Sequence, residues 1–143
     1  LGYEKSSSTR LEFRTDTASD LTGDGFGVLV RDGTNDDGEI QSSSDITDGT
    51  PHRCLFNKKT NTVSNWELWI DGNKDSITIH RNAWSGANME DFADPLPLLA
   101  SYRTGSLDGR LNGVADDIII FDDSLLSSQI QSDYDRQPWL SEV

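Results

Sequence analysis

Asp116-Asp117-Ile118-Ile119-Ile120-Phe121-Asp122-Asp123 sets the reading of this chain: four apolar residues, three of them β-branched, between two pairs of aspartates. A short apolar run bounded by polar breakers is expected to be a strand buried on both faces. It is too short for a helix, and β-branching favours the extended backbone further. Upstream, Ser106 to Val114 carries two glycine-marked bends, at Gly109 and Gly113. Downstream the period changes: Leu126, Ile130 and Tyr134 fall at i, i+4 and i+8, one face of a short C-terminal helix. Ser127 or Ser128 supplies its N-terminal cap, and Ser128 with Gln131 has the capping-box spacing.

The rest of the chain alternates in short segments. Leu11 and Phe13 share a face of the segment from Arg10 to Arg14, and Phe26, Val28 and Val30 share a face of the segment from Gly25 to Gly33. Asn35 to Glu39 reads as a tight connection and Ile40 to Ile46 as a serine-rich strand. His52 to Phe56 and Trp66 to Ile70 are expected to pair as a hairpin, with Trp66, Leu68 and Ile70 on one face and Glu67 and Trp69 on the other. Asp75 to Arg81 alternates again, and a proline-marked segment from Pro95 leads to a strand ending near Tyr102. Short, regularly spaced strands with turn chemistry between them imply an all-β, two-sheet antiparallel jelly-roll sandwich with one short C-terminal helix. Residues 1–9 read as a connector or edge segment and 10–143 as a single domain; 143 residues bury one core.

Aspartate outnumbers glutamate about threefold, arginine exceeds lysine, and the formal net charge is −13. Such a surface repels nucleic acid and anionic membranes, so no nucleic-acid partner and no membrane insertion are expected. Self-repulsion at this charge is relieved by screening, so the composition points to a salt-rich environment; acidic loops for calcium are a compatible explanation. No run approaches the length of a membrane span, and no signal-peptide pattern is present. The start at Leu1 suggests a mature product or a piece of something longer. The lone Cys54 forms no internal disulfide and reads as a small half-buried strand residue.

Gly113-Val114-Ala115-Asp116-Asp117-Ile118-Ile119-Ile120-Phe121, followed by Leu126-Ser127-Ser128-Gln129-Ile130, resembles the C-terminal end of laminin-G-like domains of the concanavalin A-like lectin and glucanase superfamily. Asp48-Gly49-Thr50-Pro51-His52-Arg53-Cys54-Leu55-Phe56 is similar to that family's Asp-Gly-x-Trp-His-x-Val strand entry, with Pro51 in place of the usual aromatic. Trp66-Glu67-Leu68-Trp69-Ile70-Asp71-Gly72 is similar to its Leu-Tyr-Val-Asp-Gly hairpin end. The resemblance implies a non-catalytic recognition fold and, at the first acid of the Asp-Asp pair, Asp116, a structural calcium ion held with backbone carbonyls. By alternation Asp116 shares a face with Ile118 and Ile120, so calcium, pairing with Arg110, or exposure at the strand end must resolve its charge.

Catalysis finds little support in the residues. Glycan-hydrolysing members of the superfamily carry a Glu-x-Asp-x-x-Glu strand; here Glu67 with Asp71 is the nearest pair, and Asp71 belongs to a turn. His52 and His80 lie in alternating strands without an evident nucleophile and read as structural. Asn35, Asp37 and Gly38 have EF-hand spacing, but Gly33 and Ser44 occupy the first and last ligand places and remove that motif. Recognition falls to the long irregular loop from Asn82 to Asp94. An exposed Trp84 indole beside Arg81 and Asn88 suits stacking on a sugar or a partner, the other reading being an anchor folded onto the sandwich. The sequence thus points to a surface module, extracellular or on a virion or cell surface, binding a glycan or a neighbouring protein subunit within a larger assembly. A purely structural coat or decoration component is the alternative, and a glycan-degrading enzyme fragment a minor one.

Overall fold

The computed structural model describes residues 2–6, 9–15, 23–32, 36–85, 101–103, 106–108, 118–121 and 123–136, with side chains in 11–15, 23–32, 36–85, 118–121 and 123–136. Among the described residues ten strands form two sheets: β1 (Gly2–Ser6), β2 (Thr9–Arg14), β3 (Gly25–Asp32), β4 (Asp37–Asp45), β5 (Cys54–Lys58), β6 (Trp66–Ile70), β7 (Asn73–Lys74), β8 (Ile77–Asn82), β9 (Ser101–Arg103) and β10 (Ser106–Asp108). A 3-10 turn, Val63–Asn65, precedes β6, and helix α1 (Ser127–Asp135) follows the strands. The larger sheet runs β10-β9-β1-β2-β3-β4-β8 and the smaller β5-β6-β7. All pairings are antiparallel except β1 with β9, which is parallel. The all-β sandwich expected from the sequence is therefore present, with one parallel seam. β1 lies between β2 and β9, inside the sheet rather than at its edge. No helix among the described residues is long and apolar enough to cross a membrane.

The alternation of each strand decides what the two sheets bury. Phe26, Val28 and Val30 of β3 and Ile40 of β4 face Trp66, Leu68 and Ile70 of β6, with Val63 and Trp84 closing the cluster. Leu11, Phe13 and Phe56 pack against it, Phe13 stacked parallel to Phe26 at 6.0 Å and Phe56 edge-on to Trp66 at 5.4 Å. Gly38 lies directly beneath Trp66: a Cβ there would come within 2.4 Å of the indole Cη2. The bulky ring thus occupies the space that a side chain on β4 would need. At the other end of β6 the hairpin closes on Asp71-Gly72, both at positive φ (51° and 75°), with Ile70 paired to Asn73. Two such residues make the tight turn whose twist matches that of the flanking strands.

β6 is buried along its whole length because both of its faces are covered. Trp66, Leu68 and Ile70 enter the core, as alternation requires, while Trp69 on the opposite face lies in a narrow crevice lined by Leu55, Ile130 and Tyr134. Helix α1 covers that face. Ile130 is its buried residue, and Tyr134 lies against Gly72. Leu126, expected on the same face, is instead the N-cap residue and exposed, so neither serine caps the helix. Gln129 Oε1 accepts the Leu126 N–H at 2.7 Å, which satisfies the backbone at that end by the carboxamide half of a capping box.

The run Ile118-Ile119-Ile120-Phe121 departs most from its sequence reading. It carries no regular secondary structure, and its side chains are 40, 51, 77 and 45% exposed. Two-sided burial is thereby corrected. A β-branched run reports the backbone a segment prefers, not that a partner strand lies beside it. The chain is fixed just downstream, where Asn57 Nδ2 donates to the Leu125 carbonyl at 2.9 Å and the Leu125 N–H donates to Asn57 Oδ1 at 3.0 Å.

Candidate functional site

Three polar clusters and one apolar row hold the chemistry of the described residues. The first cluster covers the outer face of the larger sheet. Pairing aligns Glu12, Leu29 and Glu39 across β2, β3 and β4, with Arg31 opposite Asp37 and Arg81 opposite Glu39. Arg14 bonds Glu12, its Nε to Oε2 at 2.7 Å, and reaches Glu39 Oε1 at 3.1 Å. Arg81 Nε donates to Glu39 Oε2 at 2.8 Å and its Nη1 to Asp37 Oδ2 at 3.0 Å, where Arg31 Nη2 also arrives at 2.9 Å. Glu39 is 1% exposed, so its carboxylate depends on these guanidinium groups in place of water. Among the described residues this layer sets Arg14, Arg31 and Arg81 against Glu12, Asp37 and Glu39. Arg81, expected at a recognition surface, is a working member of this layer.

The second cluster joins the 48–52 loop to the β6–β7 turn. His52 Nδ1 lies 2.7 Å from Asp71 Oδ2 and Nε2 lies 3.0 Å from Asp48 Oδ1. Thr50 donates its hydroxyl to Asp48 Oδ1 at 2.7 Å and its backbone N–H to the same oxygen at 2.8 Å. These bonds from Thr50, with His52 behind them, hold the Asp48 carboxyl down at about 2. The bond to Asp71 raises the His52 pKa, against its partial burial, and Asp48 adds to the rise. Asp71 is a non-glycine residue in the left-handed region, a conformation costing roughly 1–2 kcal/mol. It is secured by accepting the Arg53 N–H at 2.9 Å and donating its own N–H to the Arg53 carbonyl at 3.0 Å.

Glu67 centres the third cluster, on the face of the smaller sheet beside Trp69. Burial opposes its charge, but Lys59 Nζ (2.9 Å), Lys74 Nζ (2.7 Å), Trp69 Nε1 (3.2 Å) and Asn57 Nδ2 (3.2 Å) all donate to it. Together they hold its carboxyl at about 2. A carboxylate so fully engaged has neither the proton of a general acid nor the open lone pair of a nucleophile. Burial pushes the Cys54 thiol up to about 12, which leaves it unreactive at neutral pH.

The sequence-derived sites fare unequally. Trp84 is 7% exposed and packs edge-on to Trp66 at 6.2 Å, so the expectation of an exposed indole is corrected: the ring is an anchor of the core. Lys58 Nζ lies 5.9 Å over its face. Its segment is pinned by the Ala83 N–H on the Asp37 carbonyl at 2.8 Å and by Ser85 on the Asp36 carboxylate. Asn88 and Asp116 lie outside the described residues, among which no group of metal-ligating side chains is assembled. Asp48, His52 and Asp71 come together only in the fold: the i, i+4 spacing of Asp48 and His52 signals the first pair, whereas Asp71 arrives through the hairpin.

No protein-family model matches the chain, and no curated protein matches it. Among solved structures, residues 221–444 of an S-layer domain-containing protein from Clostridium thermocellum ATCC 27405 are similar, at 16% sequence identity and a TM-score of 0.47. The match covers 94% of this chain and 61% of that one.

Proposed function

We propose that this chain is a non-catalytic β-sandwich building block of a surface assembly in a salt-rich environment, and that it meets a second copy of itself through the row from Ile118 to Phe121. The observation that carries this reading is the exposure of four consecutive large apolar side chains on an otherwise strongly acidic chain. Contiguous apolar exposure is costly in water and marks contact surfaces. The aromatic that would have stacked on a sugar, Trp84, is in the core, which favours the structural reading over a glycan-binding one. Four side chains fall short of the ~800 Å² per partner of a standard interface, so a single contact is weak and a repeating array multiplies it. At a net charge of −13, copies repel until salt screens them, which ties association to ionic strength.

Sedimentation equilibrium in molar chloride tests the reading. The wild-type chain is expected to self-associate with rising concentration. The Ile119→Ser/Ile120→Ser variant should remain monomeric over the same range while melting at the same temperature. A wild-type chain that stays monomeric, or a variant that associates equally, overturns the proposal.

A further inference from the structure

We propose that His52 and the two aspartates gripping it form a proton-operated clasp, which closes the 48–52 loop onto the β6–β7 turn and thereby seats helix α1. Both ring nitrogens face carboxylate oxygens, Nδ1 at Asp71 and Nε2 at Asp48. A carboxylate only accepts hydrogen bonds, so both contacts are satisfied only when the ring carries two protons. The neutral ring has one N–H, and its other nitrogen then turns a lone pair toward an oxygen of like polarity. Among the described residues, the groups facing the ring are the Asp48 and Asp71 carboxylates and the Thr50 hydroxyl, while the Arg53 guanidinium turns instead to Asp133.

The same geometry disfavours a nucleophilic reading of this cluster. Thr50 Oγ1 lies 3.1 Å from Nε2, as a nucleophile does beside its base, with Asp71 behind the ring as the orienting acid. Asp48 breaks that arrangement. It accepts the Thr50 hydroxyl hydrogen bond at 2.7 Å and stands 3.0 Å from Nε2 itself, so the hydroxyl proton points at the carboxylate and not at the ring.

From Asp71 the coupling runs to the helix through two short routes. Asp71 exchanges two hydrogen bonds with the Arg53 backbone, and the Arg53 side chain binds the Asp133 carbonyl at 3.3 Å and the Asp133 carboxylate. Gly72, the other residue of the turn, lies so close under Tyr134 that a Cβ would come within 2.6 Å of its ring. Asp71 is also held at positive φ, and a neutral ring weakens the charge-assisted bond that helps to keep it there. The clasp therefore contributes fully below the ordinary histidine range, near ~6.5, and is lost as pH rises through the elevated His52 midpoint.

The chain has two histidines, so ring resonances are assigned by comparing the wild type with His80→Gln in a heteronuclear NMR titration. The expected result is a His52 midpoint above the ordinary value, with the amides of Asp71, Gly72 and residues 127–135 shifting at that same midpoint. Hydrogen exchange of the α1 amides, corrected for intrinsic base catalysis, should rise several-fold across it. Asp48→Asn, on the exposed side of the ring, should lower the His52 midpoint, and His52→Gln should abolish the titration of the helix amides. A His52 midpoint at or below the ordinary value overturns the clasp. So do helix amides that ignore the titration, or that still follow it in His52→Gln.

Discussion

Replacing Trp84 with alanine distinguishes an anchor of the core from a surface platform. The ring is 7% exposed, so truncation uncovers or empties nearly the whole of an indole that buries about 150–250 Å². At ~25 cal/mol per Å² this is roughly 4–6 kcal/mol, in line with the 3–5 kcal/mol typical of Trp→Ala in cores. The edge-on contact with Trp66 adds about 0.5–1.5 kcal/mol, and Lys58 over the ring face adds ~0.5–1 kcal/mol. One term runs the other way: the buried indole N–H has no hydrogen-bond partner among the described residues, a cost of about 1–3 kcal/mol. The net expectation for Trp84→Ala is a loss of roughly 3–5 kcal/mol, a third or more of the stability of a typical domain. Trp84→Phe keeps most of the apolar area and removes the orphaned N–H, so it should cost less than a third as much. Denaturant melts followed by circular dichroism measure both, with the slope checked for constancy. If Trp84→Ala lies within about 1 kcal/mol of the wild type, the indole is not part of the core and the packing described here is wrong.

Three further outcomes follow from charge. The melting temperature at neutral pH should climb from low to molar chloride, because screening relieves a net charge of −13; a flat or falling series contradicts the halophilic reading. Glu67 has a depressed folded-state pKa, so its contribution is present above its unfolded value near ~4.5 and is lost as pH falls toward 2. Glu67→Gln should therefore flatten the acid limb of the stability profile between about pH 5 and 2, measured by denaturant midpoint at each pH. If Asp116 holds calcium, a chelator should lower the wild-type melting temperature and Asp116→Asn should abolish the response to added calcium; a chelator-insensitive wild type removes the metal from the account.

Alternation within strands is a reliable guide to which side chains enter the core between the two sheets. Phe26, Val28 and Val30, and Trp66, Leu68 and Ile70, take the faces their spacing implies, and Asp71-Gly72 makes the turn its composition implies. The same alternation left open what lies on the other side. Glu67 and Trp69 share a face that α1 covers, and Glu12, Arg14, Arg31, Asp37, Glu39 and Arg81 form one ion-paired layer only because β2, β3, β4 and β8 lie side by side. Such cross-strand partnerships depend on pairing order, which local pattern does not encode. For Trp84 the two readings, exposed platform or anchor folded onto the sandwich, differ for a related reason: a lone aromatic without periodic neighbours carries no sign of its partner, and here the chain after β8 turns back over Trp66. The isoleucine run shows the converse error, in which strong local preference for an extended backbone stood in for a partner that the described residues do not provide.

The most direct test of the central claim is amide hydrogen exchange of residues 118–121 at two concentrations in molar chloride. In the dilute monomer these amides should exchange at nearly the rate of an unstructured peptide, since the segment carries no regular hydrogen bonding. At concentrations where copies associate they should become protected, while the core amides of β3 and β6 stay slow throughout. Strong protection of 118–121 in the dilute monomer would place the run in a strand within its own fold and contradict its role as a contact surface.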